Sequence, residues 1–211
     1  GNGNVGTLDG GPTVVEGQYG SALAFDNSRV AIPASDTLTG DLFTGDFTLV
    51  AWMNPTRTGN TWQQVFRAMT SSSSNDTLFI NNDGHLTWRG FVNGGWTVLS
   101  STAAGAVPAD QWTHAAVVGD ATSIRIYVNG DLAQESARQV TDGSNATYYI
   151  GGNPGAAGES YHGAADEVGV FSHVLTEGEI KAAMQGIAGA ELAGNPSPAD
   201  EATDVPPGVV L

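Results

Sequence analysis

"WTHAAVVGDATSIRIYVNG", residues 112–130, sets two apolar runs around a polar turn. In an extended chain successive side chains point to opposite faces, so Trp112, His114, Ala116 and Val118 share one side and Thr113, Ala115 and Val117 the other. Asn129-Gly130 then makes a second tight turn into Asp131-Leu132, because both residues tolerate the positive φ that such turns require. The stretch reads as the middle of an antiparallel meander. His114 is a candidate base or metal ligand by residue type, but no Ser or Cys nucleophile and no second His lies near it in sequence. It reads as a buried histidine whose ring nitrogens are satisfied by neighbours. His85, His162 and His173 show no His-x-His or His-x-x-x-His spacing, which speaks against zinc.

The same alternation extends outward in both directions. "DFTLVAWMNP", 46–55, places Phe47, Leu49, Ala51 and Met53 on one face and Thr48, Val50 and Trp52 on the other, which predicts a central strand ended by Pro55. "ALAFDNSRVAI", 22–32, predicts a hairpin turning at Asp26-Asn27-Ser28. "QQVFRAM", "DTLFINN", "HLTWRGF", "GWTVLSS", "ATYYIGG" and "ADEVGVF" supply further strands, separated by turn signals such as Asp83-Gly84 and Asn93-Gly94-Gly95. In "LTEGEIKAAMQGI" Thr176 and Glu179 form a capping box, and Ile180, Ala183 and Met184 share an apolar face. About a dozen short strands and one helix predict a large antiparallel sandwich.

Composition agrees with this. The 211 residues include 29 glycines and 9 prolines, which demand turns, and suffice for one sizeable β domain. The net charge of -15 would repel nucleic-acid backbones and anionic membranes, so neither is expected as a partner. Cysteine is absent, and no apolar run approaches the ~18 residues of a membrane span. The Asn-x-Thr sequons at Asn75 and Asn145 are read as chance.

The order "GQYGSALAFDNSRVAIPAS", "DFTLVAWMNP", "WTHAAVVGD" with "IRIYVNGDL", "YYIGGN" and "GAADEVGVFSHVLTEGEI" resembles the bacterial laminin-G-like domains of the concanavalin A-like superfamily. The resemblance implies an all-β jelly-roll sandwich of two antiparallel sheets with one short C-terminal helix over residues 1–187. Residues 188–211, with "PPGVVL" at their end, read as a linker towards a following domain. The family's first strand is missing ahead of "GNGNVGTL". The edge left open is a route to a dimer. The resemblance also implies a structural calcium where the "GNGN" loop meets the Asp of "DEV", here Asn2, Asn4 and Asp166. The alternative for Asp166 is a hydrogen-bonded cap on loop amides without metal; Asp26-Asn27 is a second candidate metal position.

Glycoside hydrolysis needs two carboxylates roughly 5–9 Å apart across the bond. The Glu-x-Asp-x-x-Glu strand pattern of jelly-roll hydrolases does not occur, and Asp166-Glu167 would point to opposite faces, so no catalysis is expected. Sugars in water instead stack their C–H faces on exposed aromatic rings. Trp52 and Trp112 lie in strongly apolar strands and read as core. Trp62, Trp88, Trp96 and Tyr161, in or beside polar loops, are the candidate ligand-binding aromatics, each with the alternative of covering a sheet edge or rim. These readings converge on a non-catalytic carbohydrate-binding or adhesion module of a larger secreted or cell-surface bacterial protein, with a glycan or an extracellular protein as partner. A structural spacer without sugar binding is the alternative, and a polysaccharide hydrolase or lyase comes third.

Overall fold

The computed structural model describes residues 4–39, 41–56, 62–69, 74–143, 147–153, 157–186 and 208–210. Two antiparallel sheets face each other. The seven-stranded sheet runs β1 (Thr7–Asp9), β4 (Arg29–Pro33), β13 (Thr147–Ile150), β6 (Trp62–Met69), β7 (Ser74–Asn81), β8 (Leu86–Val92) and β9 (Gly95–Ser101). The other runs β12 (Asp131–Ala137), β11 (Ser123–Val128), β10 (Thr113–Gly119), β5 (Phe47–Pro55), β14 (Gly163–Phe171), β3 (Ser21–Phe25) and β2 (Thr13–Glu16). A short strand β15 (Gly208–Val210) pairs with Gly169–Phe171 of β14. The end of "PPGVVL" therefore adds to this sheet, while residues 188–207 and 211 of the expected linker lie outside those described.

Period-two patterning places the strands as the sequence predicts. Phe47, Leu49, Ala51 and Met53 of β5 are fully buried between the sheets, where Ala115 and Val117 of β10 join them. The opposite faces of the same strands, with Val50, Ala116 and Val118, pack with Leu175 and Ile180 under helix α1 (Glu177–Ala183). Both halves of the Thr176/Glu179 capping box form. The Asn93-Gly94 and Asn129-Gly130 pairs take positive φ at both positions, closing two-residue hairpins from β8 to β9 and from β11 to β12.

The hairpin expected over residues 22–32 does not form. β3 pairs with β14 and β2, whereas β4 pairs with β13 and β1 in the opposite sheet. Asp26-Asn27-Ser28 is thus a corner at which the chain crosses the sandwich, with Asn27 at φ 51°. A turn motif specifies reversal of direction; it does not specify which neighbour the next strand pairs with.

Leu8 is paired with Val30, and Val14 with Leu23, so both face inward at the edges of their sheets. Both are exposed, and Val14 lines a cavity of about 120 Å³ together with Leu23, Phe25, Val30, Ile150 and Val168.

Candidate functional site

With α1 covering the outer face of one sheet, the outer side of β6–β9 is exposed at its β8–β9 end, at Trp96 and Val98, while Gln64, Arg67, Thr77, Phe79 and Thr87 on the same side are buried. Leu78, Ile80, Leu86 and Trp88 point into the inter-sheet core, so Thr77, Phe79, Thr87 and Arg89 point outward. Cross-strand register aligns Arg67, Thr77, Arg89 and Val98 in one row and Gln64, Phe79, Thr87 and Ser101 in the next. Phe79 is buried yet stands outside the inter-sheet core, because the Trp62 ring packs edge-on over it at 5.4 Å.

Above this floor the Arg89 guanidinium lies 4.4 Å from the Trp96 ring centroid, 5.8 Å from that of Trp62 and 6.0 Å from that of Phe79. Trp96 is 40 % exposed and meets Phe91 edge-on at 5.7 Å. A 3-10 turn, Ala157–Glu159, carries a carboxylate to the rim. Glu159 accepts hydrogen bonds from Gln64 Nε2 and from Asn153 Nδ2, and lies 3.7 Å from Arg67. Arg67 donates to Gln64 Oε1 at 3.0 Å. Burial lowers the pKa of both arginines from the ordinary guanidinium value, and Glu159 pulls each back towards it. The face therefore offers aromatic surface, a cation and a carboxylate near one another.

Two of the four candidate aromatics belong here and two do not. Trp62 and Trp96 flank Arg89. Trp88 is 0 % exposed in the core, its ring 5.2 Å from Phe43 and 5.6 Å from Phe47. Tyr161 is likewise 0 % exposed, packed 6.2 Å from Phe25 with its hydroxyl donating to the Ala164 carbonyl. The expected exposure of Trp88 and Tyr161 is corrected by this. For Trp88 the signal was present: it shares parity with Leu86, while Thr87, Arg89 and Phe91 form the mixed face. For Tyr161 no local signal exists, since its cover comes from β3. Arg89 is the residue that the sequence reading passed over.

The two described members of the expected metal set, Asn4 and Asp166, have hydrogen-bond partners of their own. Asn4 donates to Thr37 Oγ1 and accepts from Ser35, whereas the Asp166 carboxylate accepts from the Tyr19 and Glu167 amides, each at 2.9 Å. A Cβ on Gly17 would overlap Asp166 Oδ2, so glycine there lets the carboxylate cap the 17–19 turn. Asn2 lies outside the described residues. Asp26 meets His162 Nδ1 at 3.0 Å. Among the described residues no group of three or more His, Cys, Asp or Glu is arranged to hold a metal.

His114 is buried on the helix-covered face, 5.4 Å from the Trp52 ring, and burial drives its pKa down to about 3. It stays neutral at physiological pH. The expected satisfaction of its ring is incomplete, because Nδ1 has no hydrogen-bond partner. Trp52 is buried on the same face and donates from Nε1 to the Met184 carbonyl; Trp112 is only half-buried.

Residues 26–181 match the Laminin_G_3 family, described as the concanavalin A-like lectin/glucanases superfamily. The chain belongs to this family. No curated protein is similar to this laminin-G-like domain in sequence. Among solved structures it is similar to the binding domain of Paraclostridial Mosquitocidal Protein 1, with TM-score 0.71 and 15 % identity over 87 % of this chain and 48 % of that one. Domain 4 of AbnA, an extracellular arabinanase of Geobacillus stearothermophilus, gives 0.65 and 19 % over 83 % and 86 %. The binding domain of botulinum neurotoxin DC gives 0.66 and 11 % over 86 % and 46 %. The laminin-G-like domain thus spans about half of the toxin binding domains and most of the arabinanase domain. At these identities the likeness establishes a shared fold.

Proposed function

We propose that this laminin-G-like domain is a non-catalytic carbohydrate-binding or adhesion module of a secreted or cell-surface protein, and that the outer face of β6–β9 is its binding face. The observation that carries the reading is the Trp62–Arg89–Trp96 cluster: aromatic surface left partly exposed beside a cation at the β8–β9 end of the sheet. The structure of AbnA domain 4 is in complex with arabinotriose, and that domain is matched over most of its length. The toxin DC binding domain is described in complex with SialylT and with synaptotagmin II. The latter favours protein adhesion as the second reading. Both agree with a role outside the cell, and no described helix is long and apolar enough to cross a membrane.

The absence of catalysis is inferred from the carboxylates. Asp166 is buried and bonded to two amides, and Glu159 is held by Gln64, Asn153 and Arg67. Neither is placed as half of an acid–base pair. A glycan array tests the binding reading: Trp96→Ala should weaken the strongest hits about tenfold, the order of one lost stacking contact, without shifting Tm. An empty array from folded protein would leave the protein-adhesion reading.

Calcium has a separate test. A ligand bound only by the folded state raises stability in proportion to RT ln(1 + [L]/Kd). Because Asp166 already accepts two amides and Asn4 has other partners, EDTA should leave Tm unchanged. A fall restored by added calcium would reinstate the ion.

A further inference from the structure

We propose that the binding face recognises an acidic sugar, a uronic or sialic acid residue, with Arg89 receiving the carboxylate and Trp96 and Trp62 flanking it. This rests on the reading of that face as glycan-binding and goes further in naming the sugar's charge.

The argument begins with the disposition of positive charge. The chain holds 22 acidic residues against 7 basic ones, so an arginine without a carboxylate partner is unexpected. Among the described residues, Arg29 pairs with Asp9, Arg67 with Glu159, Arg125 with Asp120, and Lys181 with Glu177 and Asp131. Arg138 donates to the carbonyls of Phe43 and Gly45. Among the described residues Arg89 has no acidic group within ion-pair distance, and its contacts are ring faces.

Those faces hold the cation by its charge and consume none of its N–H groups. A guanidinium presents five donors in a planar fork that matches a carboxylate bidentately, and here the fork is oriented but unspent. Preorganisation removes part of the entropy that a free arginine would lose on binding. The same row holds a second cation, since Arg67 is two strands away in register with only Thr77 between. Glu159 offsets one of the two charges and, through its bonds to Gln64, Asn153 and Arg67, stays on the Arg67 side. The local balance is positive in a chain that is otherwise acidic. That asymmetry selects a small anion on a sugar over a polyanion, which the remaining surface would repel.

Calorimetric titration of the whole domain with matched pairs tests this: trigalacturonate against its methyl ester, and 3′-sialyllactose against lactose. The acidic member of at least one pair should bind about tenfold more tightly, as a charge-assisted bidentate contact requires, and the gap should narrow as salt rises. Which pair discriminates tells uronate from sialate. Arg89→Gln should bring the acidic sugar to the affinity of its neutral partner with Tm unchanged, and Arg89→Lys should recover part of the gap. Equal binding of both members by the unmodified protein would overturn the acidic-sugar inference and leave glycan binding standing. An array empty of all sugars would remove both, and so would binding of an acidic peptide in their place. The comparison on unmodified protein needs no variant to fold.

Discussion

Trp88→Ala is expected to destabilise the domain by about 3–5 kcal/mol, the range for deleting a large ring from a packed core. Trp88 is 0 % exposed and joins Phe43 and Phe47 in an aromatic cluster that Phe43 extends to Phe66 and Tyr148. Truncation would open a void between the sheets that neither β8 nor the 3-10 turn Leu42–Thr44 can fill without moving. For a domain of this size the fall in Tm should be on the order of 10 °C, readable by calorimetry or a denaturant midpoint. Loss of sugar binding in this variant would therefore report unfolding, whereas Trp96→Ala, on the open face, reports binding. If Trp88→Ala melts like the parent, the placement of that ring is wrong.

Asp76 should make the domain lose stability as pH rises from about 4 to about 7. It is 3 % exposed on β7, with Oδ2 accepting from the Thr141 hydroxyl and Oδ1 without a partner. Burial pushes its pKa up to about 7, while the Thr141 hydrogen bond and the Arg138 charge oppose the rise. The folded state then holds a proton that the unfolded state releases near pH 4, so the contribution is full below that pH and is lost as the carboxyl ionises. The loss should amount to a few kcal/mol. Asp76→Asn, which keeps the shape and removes the ionisation, should raise stability at pH 8 and flatten the slope between pH 4 and 7. Denaturant midpoints at several pH values measure both. A variant less stable than the parent at pH 8 would show that the carboxylate is needed there.

Much of the fold was legible because its determinants are local. Alternation in 46–55 and 112–130 assigned faces to β5 and β10, Asn-Gly pairs fixed two hairpins, and the capping box placed α1. The short strands Thr7–Asp9 and Thr13–Glu16 were missed because they are edge strands, almost wholly exposed, with little burial to leave a pattern. The crossing at Asp26-Asn27-Ser28 was misread as a hairpin because the partners of β3 and β4 lie more than 100 residues away, in β14 and β13.

The candidate site was half legible. Trp62 and Trp96 were picked out by the polar loops around them, but Trp88 and Tyr161 satisfied the same criterion and are buried. Arg89, adjacent to Trp88, escaped notice although it stands at the centre of the face. Asn4 and Asp166 hydrogen-bond to different residues, which no local pattern in the sequence records.

The sequence by itself determined which side chains share a face of each strand, since a backbone period of two is a property of the extended chain. It therefore separated Trp88 from Arg89. Only the tertiary structure decided what covers each face: the second sheet closes over Trp88, α1 closes over His114 and Trp52, and Trp96 beside Arg89 stays partly exposed. The physical reason is that burial depends on strands distant in sequence, and no local pattern records which of them arrive.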